Sequence, residues 1–362
     1  MKYLKSRLNR VTGNAAISSV ARRLGFRSNY RLQIPRLTRR ARSDSRSRSV
    51  WFICPDYQLP SGGVRKLYRC VDILNSAGLD AAIVHSRSGF RCGWFDNETR
   101  VVSARDAWLG SSDVLVIPEI YGRSICDLPT GVRQVIFNQN VYNTMDQITE
   151  SPIHALPYTA NPDLAFVLVV SQDNAEVLES TFPGIPVQRL RLGIDPALFH
   201  LPSTRKLRRI AYMPRKRRGD ARDVIQHLKD ARALEGWEIV AIDGESESET
   251  ARLLRSSKLF LSFSKREGFG LPPLEALACG CIVVGYHGSG GREYFHPPFA
   301  TAVEDGNVAA FATAVQAVLC NIDENPAFAD AMASTASRFA AEHYTLEEEQ
   351  RNLIDLFAHL LR

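Results

Sequence analysis

The clearest pattern in the chain lies at residues 258–280, KLFLSFSKREGFGLPPLEALACG. Its first six residues are mostly apolar, which predicts a short buried strand. A loop with glycines at 268 and 270 follows, and two prolines then lead into apolar residues at helical density. Proline suits the first turn of a helix, because the N–H that it lacks has no partner there in any case. The stretch therefore predicts a strand, a glycine loop and a helix, and CIVVG (281–285) predicts the next strand.

The glycine loop presents free backbone N–H groups at the start of a helix, an arrangement that favours a phosphate or another anion. Two carboxylates, Glu267 and Glu275, stand eight positions apart on either side of the loop. A carboxylate accepts hydrogen bonds from paired hydroxyl groups, so the pair suits a sugar and a ribose beside a diphosphate. An ordinary strand–turn–helix with solvated glutamates is the alternative interpretation of the same pattern.

The stretch resembles the E-x7-E signature of retaining GT-B glycosyltransferases, family 4 in particular (glycosyl transferases group 1). The resemblance extends over the EGFGLP core, the EALACG helix and the Val-Val pair of the strand after it. It implies that Glu267 holds hydroxyls of a donor sugar and that Glu275 holds the ribose of a sugar nucleotide. It also implies that four loop residues lie near the sugar and the diphosphate: Gly268, Phe269, Gly270 and Leu271.

Length and composition limit the classes of protein to which the chain can belong. With 362 residues, 45% of them apolar, the chain is long enough for two domains with their own cores. It has no run of eighteen apolar residues and no continuous apolar segment of a signal peptide, so we expect neither a transmembrane helix nor a leader. The seven scattered cysteines match neither a disulfide framework nor a zinc site, which fits a reducing cytoplasm.

Residues 1–49 are a strongly basic extension. They hold 14 Lys or Arg and a single acid, Asp44, so the remaining residues carry a net charge of −7 within a chain of net charge +6. We expect this extension to be flexible, and docking on an anionic membrane face is one functional interpretation of its charge. A solvated tail and non-specific nucleic-acid contact are the alternatives. Only one aromatic residue, Tyr3, precedes residue 26, so base stacking finds little support and no nucleic-acid partner is expected.

From Val50 the pattern is that of a globular domain. A strand over 50–54, a helix over 64–77 and a strand over 81–85 form a βαβ unit, which predicts a parallel sheet. Gly62 and Gly63 come just before the helix, where either a phosphate or a plain turn would explain them. In the resembling family a glycine-rich loop at this place faces the cleft, so the resemblance assigns both glycines to donor binding.

Polar residues follow two further predicted strands of this domain. Glu119 comes after the strand 114–117, and Asn138 and Asn140 come after the strand 134–137. Ligands of open α/β sheets bind beyond the carboxyl ends of the strands, so these three side chains are candidate contacts to the sugar or the acceptor. A solvated acid and an Asn-rich turn are the alternatives. Many family members place a histidine near here, and this chain has none.

A basic run, Pro-Arg-Lys-Arg-Arg (214–218), follows the predicted strand 209–213. A leaving diphosphate needs cations to stabilise its growing charge, although a solvated basic turn has the same composition. Family members carry an Arg after this strand and a Lys a few residues further on. The resemblance therefore assigns catalytic roles to Arg215 and Lys216 together with Glu267, and Arg217 or Arg218 are substitutes for the lysine.

The segment Gly193-Ile194-Asp195 to Phe199 resembles the linker between the two domains of the family. We therefore predict an N-terminal acceptor domain over 50–199, a sugar-nucleotide domain over 200–345 and a C-terminal helix, 346–362, that crosses back onto the first domain. The expected fold class is α/β: a GT-B fold of two doubly wound, Rossmann-like domains facing a cleft.

The resemblance implies transfer of a sugar from a nucleoside-diphosphate sugar to an acceptor hydroxyl with retained anomeric configuration. The expected acceptor is a glycan or glycolipid of surface polysaccharide synthesis, and the expected location is the cytoplasm or the inner membrane face. Because the chain lacks Asp-x-Asp, we expect no metal and no cofactor. A sugar-nucleotide epimerase, a phosphorylase or a non-catalytic module bound to membrane or nucleic acid are the alternatives, and the complete glutamate pair favours an active enzyme.

Overall fold

The computed structural model describes residues 34–39, 48–148, 153 and 156–362, so most of the basic extension lies outside the described residues. The chain divides into two compact units. The first holds the described residues up to Val169 together with Ala175–Leu190 and Gln350–Arg362, and the second holds Val170–Asn174 and Arg191–Glu349.

The first unit is built on a seven-stranded sheet in which every neighbouring pair is parallel. Numbered along the chain and given in spatial order, its strands are β4 (Val101–Ser103), β3 (Ala81–His85), β2 (Val50–Ile53), β6 (Val114–Pro118), β7 (Arg133–Asn138), β8 (Leu164–Val169) and β9 (Val187–Arg189). The chain winds outward from β2 in both directions, as in doubly wound folds. β2, β3 and β6 are buried along their whole length, because both faces of a parallel sheet are covered. Two short strands, β1 (Thr38–Arg39) and β5 (Trp108–Leu109), pair in parallel with each other.

The helices of the first unit are α1 (Gly62–Ser76), α2 (Val141–Ile148), α3 (Pro157–Ala160) and α4 (Gln172–Thr181), and a 3₁₀ segment spans Glu119–Asp127. α1 begins earlier than the sequence predicted. The Ser61 hydroxyl accepts a hydrogen bond from the Val64 N–H at 3.5 Å and caps the helix. Gly62 and Gly63 therefore lie in the first helical turn and not in a loop before it.

The second unit has a five-stranded parallel sheet of the same doubly wound kind. Its strands, in spatial order, are β11 (Glu238–Ala241), β10 (Leu207–Tyr212), β12 (Ser257–Phe263), β13 (Ile282–Tyr286) and β14 (Ala300–Ala302). Its helices are α5 (Arg218–Asp230), α6 (Glu247–Ser256), α7 (Leu271–Ala278), α8 (Val308–Glu324) and α9 (Pro326–His343), with a 3₁₀ turn over Gly290–Glu293. The strand order changes direction between β10 and β12. Loops that follow these two strands meet at the edge where open α/β sheets bind their ligands.

The last helix, α10 (Leu346–Leu360), begins in the second unit and ends in the first. At its start the buried Glu349 carboxylate accepts a hydrogen bond from the Gly193 N–H at 2.6 Å. A Cβ at Gly193 would come within 2.4 Å of the Thr345 carbonyl oxygen, so only glycine fits this approach. At its end the buried Phe357 ring packs on Phe52 with centroids 5.8 Å apart. Across the described ranges, we find no helix with the length and apolar character needed to span a membrane.

Candidate active site

The predicted strand, glycine loop and helix are confirmed as β12, the loop 264–270 and α7. Pro272 and Pro273 occupy the first turn of α7, as proline favours. Gly270 caps the helix with φ of +84°, a backbone conformation that side chains with a Cβ rarely adopt. A Cβ at this position would also lie 2.9 Å from the Tyr294 hydroxyl, so both conformation and space require glycine.

Glu267 lies in the first of two glycine loops, 264–270 and 287–290, that pack directly on each other. Its N–H donates to the Gly288 carbonyl at 2.7 Å, and its own carbonyl accepts from the Gly290 N–H at 3.2 Å. A Cβ at Gly290 would lie 2.2 Å from the Gly268 carbonyl oxygen, so the two loops pack too closely for any residue but glycine at this position. The Glu267 backbone is thereby held on both sides, while 19% of its side chain stays exposed.

Lys216 is brought against Glu267 by the neighbouring positions of β10 and β12. Its ammonium group donates to a carboxylate oxygen of Glu267 in an ion pair, and 37% of the lysine side chain remains exposed. Arg215, one residue earlier in the same loop, is exposed. The structure therefore places two cations and one carboxylate of the predicted site in the loops that follow adjacent strands.

The other two arginines of the basic run are held by acidic neighbours. Arg217 donates to Asp220 at 2.9 Å and to Asp305 at 2.6 Å, and its guanidinium lies 4.9 Å from the centre of the Tyr286 ring. Arg218 donates to Asp243 at 2.6 Å. Arg217 and Arg218 thus pair with acids outside the predicted site, whereas Lys216 pairs with Glu267 within it.

The remaining candidates of the loop and α7 are largely buried. Glu275 is 8% exposed in the second turn of α7. Gly268 is buried, and Leu271 is half-buried as the first helical residue. Phe269 is 3% exposed, and its ring packs against Tyr294 and Tyr344 with centroids 5.5 and 5.8 Å apart. The Phe269 side chain is thus a core group, and what this part of the loop can offer a ligand is backbone N–H.

Tyr294 supports the loop through its side chain, and it was not among the predicted site residues. Its buried hydroxyl donates to the Phe269 carbonyl at 3.0 Å and also contacts the Gly270 carbonyl. Burial raises the pKa of Tyr294 well above its usual value, so the hydroxyl keeps the proton that it donates. No local pattern marks this residue, since its partners lie about twenty-five positions earlier in the chain.

His287 stands in the second glycine loop. Its Nδ1 accepts a hydrogen bond from the Ser289 N–H at 2.9 Å. Burial, with the nearby Arg292 charge, lowers the pKa of His287, so the ring is neutral at pH 7 with its proton on Nε2. The ring therefore stabilises the conformation of the second glycine loop, whose backbone is hydrogen-bonded to Glu267.

In the first unit, Glu119 is buried at the carboxyl end of β6, with 3% exposure. Its carboxylate accepts from the Gln139 N–H at 3.1 Å and from the Asn143 amide at 2.9 Å. Burial raises the pKa of Glu119 to about 7. The Gln139 side-chain amide also donates to the Gly63 carbonyl at 3.2 Å, so Gln139 links Glu119 and Gly63 in one polar cluster. Gly62 is exposed, with open space around it.

The two asparagines differ in their surroundings. Asn138 is fully buried, and its amide donates to Thr144 and to Tyr158, each at 2.9 Å. These bonds tie β7 to α2 and α3 inside the unit. Asn140 is half-buried, and its side-chain oxygen accepts from the Tyr142 N–H at 3.1 Å at the start of α2. A sugar or acceptor contact from either residue stays a prediction.

Known proteins match this chain in both sequence and fold. Residues 219–334 match the family model described as glycosyl transferases group 1. The alpha-1,6-glucosyltransferase of Actinobacillus pleuropneumoniae serotype 7 (strain AP76) is 24% identical over 296 residues, which cover 78% of this chain and 85% of that protein.

Two solved structures show the likeness in fold. Sucrose-phosphate synthase of Thermosynechococcus elongatus has a TM-score of 0.63 at 12% identity and covers 86% of this chain and 99% of that one. Alr3699/HepE of Anabaena, in complex with UDP and glucose, has a TM-score of 0.59 at 12% identity and covers 86% of this chain and 100% of that one. The predicted resemblance is thus confirmed: residues 219–334 match the model of the glycosyl transferases group 1, and the chain has the GT-B fold.

Proposed function

We propose that the chain is a retaining glycosyltransferase that moves a sugar from a nucleoside-diphosphate sugar to the hydroxyl of a glycan or glycolipid acceptor. The observation that carries the proposal is the ion pair between Lys216 and Glu267 beside the glycine loop that opens α7. Cations and a carboxylate there match the diphosphate and the sugar hydroxyls of such a donor.

Each residue has a proposed role in the transfer. Glu267 orients the donor sugar through its hydroxyls, and Glu275 holds the ribose. The N–H groups of Phe269, Gly270 and Leu271 face the sugar and the diphosphate. Arg215 and Lys216 stabilise the negative charge that grows on the diphosphate as the sugar leaves, without a metal ion. The leaving phosphate then takes the proton of the acceptor hydroxyl on the same face of the sugar, which retains the configuration.

The names of similar proteins support one donor to test first. The Actinobacillus relative is named a glucosyltransferase, and the Anabaena structure contains UDP and glucose. We therefore propose UDP-glucose as the donor. Synthesis of a surface polysaccharide or glycolipid is the proposed context, with the basic residues 1–49 as the contact to an anionic membrane.

A nucleotide panel tests the donor site. UDP, GDP, dTDP, ADP and CMP are compared by thermal shift, each free and joined to its common sugars. We expect UDP at a hundred times its dissociation constant to stabilise the protein by about 2.7 kcal/mol. The Glu275→Ala variant should lose this shift, whereas the control Glu235→Ala, an exposed glutamate of the same unit, should keep it.

Turnover then tests the reaction. We expect NMR of the product to show the donor's anomeric configuration and the activity to persist in a chelator. A product of inverted configuration would contradict the retaining mechanism. Absence of any nucleotide shift would contradict the transferase itself, and a strict requirement for inorganic phosphate would favour a phosphorylase.

A further inference from the structure

A polar cavity, open to solvent, lies at the carboxyl edge of the first unit's sheet, in the loop that follows β3. It has a volume of about 330 Å³ and is lined by Gln58 and by residues 87–91. This volume is at the lower end of the range for small-molecule sites, which suits a single sugar ring. None of the functional residues assigned above lines the cavity.

Hydrogen bonds at both ends hold the loop in shape. The Asp56 carboxylate accepts from the Ser86 and Arg87 N–H groups, each at 3.0 Å, and so fixes the start of the loop. The Gln58 side chain donates to the Arg91 carbonyl at 2.9 Å and accepts from the Gly93 N–H at 3.3 Å, which fixes its end. A site that exists before its ligand arrives loses less entropy on binding.

Below the loop lies a buried aromatic and polar layer. The His85 ring contacts Phe90 with centroids 4.6 Å apart, and its Nε2 lies 2.7 Å from the Tyr68 hydroxyl. The same hydroxyl accepts from the Cys92 N–H at 3.1 Å. Phe90 is therefore anchored, and it forms a fixed apolar wall of the cavity.

The charge of the cavity is positive. Arg87 lies over the Phe90 ring at 4.7 Å, and Arg91 donates to the neutral side chain of Asn97 at 2.7 Å. Among the described residues that line the cavity, none is acidic.

Two carboxylates stand near the cavity, and each has other partners. Asp56 lies 3.5 Å from the Arg87 Nε, but it also faces His85 at 3.1 Å. Asp72, whose pKa burial raises against the opposing effects of Thr99 and the Arg91 charge, accepts from the Thr99 hydroxyl at 2.8 Å. The two guanidinium groups are therefore only partly neutralised.

We propose that this cavity binds an oxyanion group, a carboxylate or a phosphate, carried by the sugar acceptor. Guanidinium groups present paired N–H donors that match the oxygens of both anions. Ser88 and Gln58 add neutral donors and acceptors for hydroxyl groups. The term acceptor rests on the proposed transferase function, whereas the affinity of the cavity for an oxyanion does not.

The test compares charged and neutral sugars on the full chain. Calorimetric titrations use glucose, glucuronic acid and glucose 6-phosphate as probes. We expect both anionic sugars to bind at least about ten-fold more tightly than glucose, since hydrogen bonds to charged groups are the stronger ones. Arg87→Gln and Arg91→Gln should each weaken the anionic sugars by about ten-fold and leave glucose unchanged. Both side chains are on the surface, so melting temperatures should stay the same.

Arg100→Gln is the matched control, because it removes one exposed arginine of the same unit that pairs with Asp80 before β3. Equal affinity for glucose and the charged sugars, or an equal loss in the control, would overturn the proposal. Phosphatidylglycerol vesicles form a parallel arm: weaker vesicle binding in the two cavity variants, with no change in Arg100→Gln, would identify a lipid-borne phosphate as the oxyanion. UDP binding is measured on the same samples. If UDP fails to bind while the anionic sugars bind as expected, the transferase proposal fails and the oxyanion site stands.

Discussion

At the scale of single residues, the molecule places charged groups according to what surrounds them. Lys216 and Glu267 are 51 positions apart in the chain, yet they form an ion pair because they follow neighbouring strands. Both stay partly exposed, as a ligand site requires. Glu119 is the contrasting case: it is buried, and amide and backbone N–H groups are its hydrogen-bond partners. Its protonation state therefore depends on the interior of the first unit.

Replacing Glu119 with Gln should change how stability depends on pH. The pKa of Glu119 is about 7 in the folded chain and near 4.5 when unfolded. Below pH 4.5 the carboxyl group is protonated in both states and does not change the free energy of unfolding. As the pH rises from 4.5 to 7, the group ionises more readily in the unfolded chain, so the free energy of unfolding falls. The full decrease is about 3 kcal/mol. Denaturation midpoints of wild type and Glu119→Gln at pH 5, 6, 7 and 8 should therefore diverge in favour of the variant.

Glu98→Gln, an exposed carboxyl of the same unit, serves as the control for this experiment and should show no such trend. A stability difference between Glu119→Gln and wild type that stays constant over the whole pH range would show that Glu119 titrates as an ordinary carboxyl.

At the scale of elements, the donor site depends on two glycine loops that support each other. The predicted strand and helix are present because their patterns are local: an apolar run for β12, and prolines followed by Leu and Ala for α7. The shape of the loop between them has a different origin. It comes from the Gly288–Gly290 segment packed on one side and from Tyr294 beneath, which no spacing in the sequence indicates.

Tyr294→Phe should loosen the loop without unfolding the unit. The substitution removes a buried hydroxyl that donates to the Phe269 carbonyl, and the carbonyl is left without that donor. We expect a loss of about 1–2 kcal/mol in stability and a weaker affinity for the nucleotide donor. Thermal unfolding and nucleotide titration measure the two effects.

Tyr286→Phe is the matched control: it also removes a tyrosine hydroxyl, here at the end of β13, and should leave donor affinity unchanged. If Tyr294→Phe binds the donor as wild type does, the hydroxyl is not what positions the loop.

At the scale of the whole molecule, charge is unevenly distributed along the chain. The net charge of +6 comes from the 14 basic residues of segment 1–49, since the rest of the chain is acidic overall. Basic residues near an anionic membrane each contribute up to about 1 kcal/mol of attraction. The predicted membrane docking concerns residues that lie mostly outside the described ones, so it stays a prediction from the sequence.

Vesicle flotation tests that prediction. We expect the full chain to float with vesicles that contain phosphatidylglycerol and not with neutral ones. Changing Arg40, Arg42 and Arg46 to Gln should weaken binding by up to about 100-fold, from about 1 kcal/mol for each charge. Changing Arg205, Arg222 and Arg232, which are exposed in the second unit, removes the same charge and should have little effect. Equal losses in the two triple variants would point to net charge rather than to the extension.

Local sequence patterns predicted the strand–loop–helix around Glu267 and Glu275 and carried the resemblance to GT-B glycosyltransferases, because both depend on residues close together in the chain. The tertiary structure decided which side chains meet. It paired Lys216 with Glu267, engaged Arg217 and Arg218 with other acids, and placed Asn138 in the interior. It also carried α10 from the second unit to Phe52 of the first. Such contacts join residues that are far apart in sequence, and packing between whole elements selects them, so no local pattern contains them.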